Sequence, residues 1–234
     1  MTKSLLTIDV GNTHQTVALH QNSELIEVRR LIDSGDWMHF AEPALLSQVG
    51  PILPMPFQHV TRLKELRKND KLIEMPIHYS QSLGDDRLAL AYFAFQKLSE
   101  WKVESVVTVD AGTFTTVDLI TLEGFQGGYI FPGPTTLERS YHHGSQLPQH
   151  VLPKKGGDSP PRSSEEAIAF ALELIMTEPL SSVLKKWCPQ RIILCGGAKN
   201  HYLETLEKYA KVEIVENAIH KALYLIALKS SLLS

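Results

Sequence analysis

The chain has 234 residues, of which 43% are hydrophobic, and its formal net charge is −3 at pH 7. This length predicts two small domains, and the hydrophobic fraction is sufficient for a buried core. The charge disfavours a nucleic-acid-binding protein, which usually carries a basic excess. Two cysteines without metal-binding or redox spacing, and a first apolar stretch that stops at Asp9, favour a cytoplasmic protein with no membrane span.

The first half of the chain predicts strands followed by helices. Short apolar runs at 5–8, 16–20 and 25–31 predict strands, since they are too short for helices. A helix weakened by a proline is predicted over 37–48, and the basic stretch 62–71 is typical of the exposed face of another helix. The clearest helix covers 85–101, where apolar residues recur at helical spacing, namely Leu88, Ala91, Tyr92, Phe95 and Leu98.

The second half repeats this order. Strands are predicted at 106–109, 115–120 and 125–131, followed by a helix that begins near residue 135. A capping-box pattern opens a long helix at residue 163, which Pro179 is expected to break. A strand at 191–195, a short strand at 212–215 and a C-terminal helix complete the chain. The repeated order predicts an α/β fold with two duplicated domains, 1–104 and 105–234, and a cleft between them.

Each predicted domain opens with a strand that leads into a polar turn. The first turn reads "DVGNT" from Asp9, and the second reads "DAGT" from Asp110, so that Asn12 is an extra residue in the first copy. Turns rich in Gly and Thr offer backbone N–H groups and hydroxyls to phosphate, and a neighbouring Asp offers oxygen ligands to a metal ion. One such turn alone is ordinary hairpin chemistry, but the repetition favours polyphosphate binding. A third Gly-rich turn, "CGGAK", begins at Cys195.

These paired turns resemble those of the acetate and sugar kinase/Hsp70/actin superfamily. The order of "DVGNT", "LGDDR", "DAGTFTTVD", "GGYIFPG", "QLP" and "CGGA" is similar to that in type III pantothenate kinases. The resemblance implies two ribonuclease H-like (actin-like ATPase) domains. It also implies transfer of the γ-phosphate of ATP to the primary hydroxyl of pantothenate, the first step of coenzyme A synthesis, by a homodimer with its pantothenate pocket near the subunit interface.

The resemblance assigns roles to particular residues. It places ATP, held with Mg²⁺, at Asp9, Val10, Gly11, Asn12, Thr13, His14, Gln15, Thr16 and Thr113. It places a monovalent cation, K⁺ or NH₄⁺, at Asp110. Pantothenate is expected at Gly84, Asp85, Asp86, Arg87, Ser164 and Tyr79, with Asp86 as the proton acceptor. The chemistry agrees, because a carboxylate can deprotonate the acceptor hydroxyl and a guanidinium can bind the carboxylate of pantothenate through two hydrogen bonds.

Some positions depart from the family pattern, and other interpretations stay open. Gly144 and Ser145 precede "QLP" where the family often has Thr-Ala, and Ser164 stands where a Thr is usual. Asp85 and Asp86 could serve only as acids at a helix start. The alternatives for function are another phosphotransferase or phosphohydrolase of this fold, or a non-catalytic nucleotide-binding regulatory protein. The ten histidines show no ligand spacing, so no metal site is predicted from them.

Overall fold

The computed structural model describes residues 4–33, 43–51, 59–144, 146–230 and 232. The chain divides into two compact units. The first comprises Met1–Glu104, Ile120–Gly127 and Asn217–Ser234, and the second comprises Ser105–Leu119 and Gly128–Glu216. These units differ from a simple division of the sequence at residue 104, because the C-terminal segment belongs to the first unit.

The first unit contains a five-stranded sheet. Its strands are β1 (Ser4–Val10), β2 (Gln15–Gln21), β3 (Glu24–Arg30), β4 (Ala44–Gln48) and β5 (Val60–Arg62), in the order β3-β2-β1-β4-β5. Strands β1, β2 and β3 form an antiparallel meander, whereas β4 pairs in parallel with β1 and with β5. The central strands are buried on both faces, and their core side chains include Leu6, Ile8, Val10, Val17 and Leu46.

Two predictions for this unit were wrong. Residues 44–48 of the predicted helix 37–48 form strand β4, and residues 37–42 lie outside the described residues. The short apolar run lies next to β1 in the sheet interior, where both faces are covered, so it lacks the polar alternation that marks an exposed strand. The basic stretch 62–71 forms only a short 3₁₀ turn and small strands, namely β6 (Arg67–Lys68) and β7 (Lys71–Leu72), which pairs with β8 (Met75–Pro76).

The predicted helix at 85–101 is confirmed as α1 (Asp85–Trp101). Its buried side chains include Leu88, Ala91, Tyr92 and Leu98, as the helical spacing indicated. The helix ends where Lys102 takes a left-handed conformation, with φ 55°, and its N–H bonds back to the last turn. The N-terminus of α1 therefore carries the "GDDR" motif at the surface of the first unit's core.

The second unit repeats the sheet of the first. The strands of this second sheet are β9 (Ser105–Ala111), β10 (Phe114–Thr121), β11 (Gly124–Pro132), β12 (Arg191–Cys195) and β13 (Lys211–Ile214), in the order β11-β10-β9-β12-β13. The segment Ile120–Gly127, which includes the end of β10 and the start of β11, is assigned to the first unit. Strand β12 pairs in parallel with β9 and β13. The identical strand order confirms the predicted α/β fold with duplicated domains.

The described residues of the second unit include three α-helices, namely α2 (Pro134–Ser140), α3 (Ser164–Trp187) and α4 (Leu203–Leu206). Helices α2 and α3 lie between β11 and β12, and α4 lies between β12 and β13. Pro179 does not break α3, contrary to expectation. The buried Leu172, Leu180 and Leu184 hold the helix against apolar neighbours, which outweighs one lost backbone hydrogen bond. By length and composition α3 could cross a membrane, but half of its most apolar stretch is buried, as in a core helix.

The C-terminal helix α5 (Ala218–Lys229) packs against α1, β1 and β4 of the first unit. Its buried face contains Ala222, Leu223 and Ile226, together with the polar His220. The C-terminal helix therefore packs on the sheet that contains β1, the first strand of the chain.

Candidate active site

The first polar turn joins β1 to β2. The N–H of Gly11 donates to the carbonyl oxygen of His14 at 2.9 Å, which closes the turn. Asn12, Thr13 and His14 are exposed, whereas Asp9 is half-buried at the strand end. The turn therefore presents its backbone and a hydroxyl at the surface, next to a carboxylate.

Strand β4 supports this turn in a way that the sequence did not reveal. Ser47, which is fully buried, donates its hydroxyl to Asp9 Oδ1 at 3.1 Å. The N–H groups of Val49 and Gly50 both donate to the carbonyl oxygen of Val10, at 3.0 and 2.8 Å. A Cβ on Gly50 would collide with the carbonyl oxygen of Gly11, so this close approach requires glycine. The predicted helix over 37–48 did not include these contacts, because they depend on residues 44–48 forming a strand beside β1.

The second turn joins β9 to β10 and is one residue shorter. The N–H of Gly112 donates to the carbonyl oxygen of Phe114 at 3.0 Å, two residues along, whereas Gly11 reaches three residues along. The extra Asn12 of the first copy accounts for this difference. The carbonyl oxygen of Thr113 accepts hydrogen bonds from Gly133 N at 3.0 Å and Thr136 Oγ1 at 2.7 Å. The second turn is therefore fixed from behind by the start of α2.

The third Gly-rich turn packs against the end of β9, as the segment after β4 packs against the end of β1. Asp110 lies opposite Cys195 in the parallel pair of β9 and β12. The N–H of Ala198 donates to Ala111 O at 2.9 Å, and Gly196 has a φ of +89°. A Cβ on Gly196 would also collide with Ala111 O. In both units a glycine turn after the neighbouring parallel strand thus packs against the end of the strand that carries the aspartate.

The "GDDR" motif forms the N-terminus of α1. Asp85 is buried, and its Oδ2 accepts the N–H of Gln48 at 3.1 Å. Asp86 Oδ1 accepts the N–H of Arg87 at 2.7 Å. A Cβ on Gly84 would lie only 2.6 Å from the same Oδ1 atom. Burial raises the pKa of Asp85 and of Asp86, and for Asp86 the N–H and guanidinium of Arg87 oppose this effect in part. A raised pKa makes the Asp86 carboxylate a stronger base.

The structure brings Tyr79 to Arg87. The guanidinium carbon of Arg87, which is 6% exposed, lies 5.2 Å from the ring centroid of Tyr79 and 5.7 Å from that of Phe125. Arg67 fixes the backbone of this segment, since it donates to Tyr79 O at 2.7 Å. Aromatic faces stabilise a cation by their quadrupole, so both rings hold the charge of Arg87 in place.

The two parts of the first unit's site are linked through adjacent residues of β4. Ser47 donates to Asp9 at the polar turn, and Gln48 donates to Asp85 at the start of α1. Asp110, Thr113 and Ser164 lie in the second unit. Ser164 is exposed in the first turn of α3, and the capping role falls to Ser163, whose Oγ accepts the N–H of Glu166 at 3.1 Å.

A buried polar cluster behind the first turn was not predicted. Thr7 Oγ1 lies 3.0 Å from His20 Nε2 and 2.8 Å from His220 Nδ1, and His220 Nε2 lies 2.9 Å from Thr16 Oγ1. Burial lowers the pKa of both histidines to about 4, so both rings are neutral at pH 7. This hydrogen-bond chain joins α5 to Thr16, at the start of β2.

Two duplicated units, each with an aspartate and a Gly-Thr turn at the end of its first strand, define a phosphotransferase-type protein with the actin-like ATPase fold. Solved structures share this fold. A Baf family protein from Campylobacter jejuni, described as a candidate transcriptional activator, has a TM-score of 0.63 at 19% identity and covers 97% of this chain and 100% of its own. A candidate 2-dehydro-3-deoxygalactonokinase from Sinorhizobium meliloti has a TM-score of 0.64 at 11% identity, with 95% of each chain covered.

Sequence comparison narrows this class to one family. The sequence model of the type III pantothenate kinase family matches residues 56–177, and the chain belongs to that family. The type III pantothenate kinase of Aquifex aeolicus is 26% identical over 84% of this chain and 88% of its own length. That of Christiangramia forsetii is 29% identical over 82% and 85%, respectively. The matched segment contains the "GDDR" motif and the second polar turn.

Proposed function

We propose that this protein is an ATP-dependent pantothenate kinase, which transfers the γ-phosphoryl group of ATP to the primary hydroxyl of pantothenate in the first step of coenzyme A biosynthesis. The observation that carries the proposal is the Asp86 carboxylate, with its raised pKa, beside the guanidinium of Arg87 at the start of α1. Membership of the type III pantothenate kinase family supports pantothenate as the acceptor.

In this proposal the first polar turn binds the phosphates of ATP. The turn closed by Gly11 and His14 offers backbone N–H groups and hydroxyls, and Asp9, oriented by Ser47, offers a carboxylate oxygen for Mg²⁺. The magnesium ion would neutralise charge on the phosphates. The remaining ATP contacts are assigned to Val10, Asn12, Thr13, Gln15, Thr16 and Thr113.

The acceptor side is assigned to the start of α1. The Asp86 carboxylate takes the proton of the primary hydroxyl of pantothenate. The oxygen of that hydroxyl bonds to the γ-phosphorus, and the bond from that phosphorus to the bridging oxygen of ADP breaks. Arg87, whose guanidinium lies beside the rings of Tyr79 and Phe125, pairs with the carboxylate of pantothenate. Gly84 leaves room for Asp86, and Asp85 anchors the helix start to β4. Tyr79 and Ser164 complete the proposed acceptor contacts.

Three finer assignments belong to the same proposal. Asp110 is half-buried at the end of β9, and a K⁺ or NH₄⁺ ion there would balance its charge and part of the charge of ATP. The active form is a homodimer, and the exposed apolar side chains Leu174 and Ile175 of α3 are consistent with a surface that a second copy covers. The site of action is the cytoplasm, whose reducing conditions suit a chain with two cysteines and no disulfide framework.

The decisive experiment replaces Asp86 by Asn, which keeps the size and a hydrogen-bonding oxygen but cannot accept the proton. Turnover in a coupled assay with Mg-ATP, pantothenate and K⁺ should fall by about 10²-fold or more, the scale expected for loss of a positioned base. ATP binding should persist, because the phosphates are assigned to the first turn and to Thr113. Melting temperature should change little, since one acid at a helix N-terminus contributes about 0.3–1 kcal/mol.

Glu100→Gln is the matched control, because it makes the same chemical change at an exposed position near the end of the same helix. Its turnover should equal that of the wild type. Near-normal turnover of Asp86→Asn would show that Asp86 is only a helix-start acid. Wild-type protein that binds ATP but phosphorylates neither pantothenate nor a related hydroxyl acceptor would instead favour the non-catalytic regulatory alternative.

A further inference from the structure

A cluster of metal-ligating side chains lies at the end of α2 in the second unit. Glu138, His142 and His150 each place one ligand atom within 4.8 Å of the other two. Glu138 Oε1 is 2.7 Å from His142 Nε2 and 3.6 Å from His150 Nδ1, and the two imidazole rings meet edge to face with centroids 5.4 Å apart. None of these residues belongs to the proposed kinase site.

Local structure explains why these residues meet. Glu138 and His142 are four residues apart across the junction of α2 with the 3₁₀ turn Tyr141–His143, so they share one face. The chain then reverses through Gly144, whose N–H donates to Tyr141 O and whose carbonyl oxygen accepts the N–H of Leu147, both at 3.0 Å. His150 returns to the helix, and its own N–H donates to Glu138 Oε1 at 3.0 Å.

The backbone at His150 is held in an uncommon conformation. Its φ is 59°, in the left-handed region that non-glycine residues seldom adopt. This turn conformation directs the N–H of His150 to Glu138 and sets the position of the His150 imidazole ring. The carboxylate of Glu138 is largely covered, with 16% of the side chain exposed, whereas His150 is 84% exposed, so the cluster is open to solvent on one side.

We propose that Glu138, His142 and His150 bind a divalent first-row transition-metal ion of the zinc class. Two imidazoles and one carboxylate are a ligand set that such ions prefer. With bonds of about 2.0–2.1 Å, the ligand atoms of a tetrahedral site lie about 3.3 Å apart. The two separations measured from Glu138 Oε1, 2.7 Å and 3.6 Å, bracket that value. The ion binds Nε2 of His142 and Nδ1 of His150, with water at the open side, and ties His150 to α2.

The test measures binding of Zn²⁺ to the full chain without an affinity tag, by titration calorimetry in a buffer that does not chelate metal. Wild-type protein should bind one Zn²⁺ per chain. Glu138→Gln, which keeps an oxygen for the N–H of His150, and His142→Ala should each weaken binding by at least about tenfold. His150→Asn should do the same, and Asn is chosen because it tolerates a positive φ.

His143→Ala is the matched control, because His143 is the exposed neighbour of His142 and lies outside the cluster. It should bind Zn²⁺ as the wild type does. Zn²⁺ should also raise the melting temperature of the wild type and of His143→Ala, but not that of the three ligand variants. Absence of binding by the wild type, or equal loss of binding in His143→Ala and His142→Ala, would overturn the proposal whatever the kinase assay shows.

Discussion

The buried histidines behind the first polar turn predict that the first unit loses stability in mild acid. His220 is 4% exposed, and burial together with the neighbouring His20 lowers its pKa from 6.5 to about 4. Between these two pH values the unfolded chain binds a proton at this position that the folded chain does not bind. The free energy of unfolding therefore falls as the pH falls through this range, and the full contribution is present only above pH 6.5.

The size of this effect follows from the two pKa values. A single group with pKa 6.5 in the unfolded chain and about 4 in the folded protein destabilises the fold by about 2 kcal/mol between pH 7 and pH 5. With a urea dependence of about 2 kcal/mol/M, this loss shifts the unfolding midpoint by about 1 M. Protonation would also change the contacts of His220 with Thr7 and Thr16, because both ring nitrogens would then donate and both hydroxyls would have to accept.

The assay compares wild-type protein with His220→Gln at pH 7 and pH 5. The glutamine does not titrate, so the variant starts less stable at pH 7 but should lose about 2 kcal/mol less than the wild type on acidification. Urea unfolding gives the midpoints, and hydrogen exchange of the β1 and β2 amides reports on the first unit alone, because the two units need not unfold together. The control is His201→Gln, at an exposed position. Equal pH dependence in the wild type and in His220→Gln would refute this reasoning.

Two further predictions follow from the proposed function. Wild-type activity should be high in K⁺ or NH₄⁺ and at least about tenfold lower in Na⁺ alone, since a tenfold rate effect needs only about 1.4 kcal/mol of charge stabilisation. The Asp110→Ala variant should lose the stimulation by K⁺. Full activity of Asp110→Ala in Na⁺ buffer would contradict this cation role. Sedimentation equilibrium at assay concentrations should give twice the mass of one chain, whereas an active monomer would exclude the homodimer.

The sequence by itself determined the repeated architecture. The two turns at Asp9 and Asp110, the helical spacing from Leu88 to Leu98 and the capping pattern at Ser163 are local signals, because each depends on residues within a few positions of one another. Local geometry governs strands next to tight turns and amphipathic helices, so these elements were predictable. The order of the motifs also identified the family, which the family comparison confirmed.

Only the tertiary structure decided what supports each turn. The sequence of strand β4 predicts a helix, because a strand buried on both faces lacks the polar alternation that would identify it. Its register with β1 places Ser47 next to Asp9, and the packing of α1 against β4 brings Asp85 to Gln48. These contacts join residues about 40 positions apart, and sequence patterns contain no information on such pairing.

The histidines show the same limit more strongly. Thr7 and His220 lie 213 positions apart and meet only because α5 packs on the first sheet. His142 and His150 meet at Glu138 only because the chain reverses after α2. In the sequence each of these histidines resembles an isolated polar residue. Their chemistry depends on burial and on neighbours, and both arise from the packing of distant segments, which determines solvation and hence the pKa.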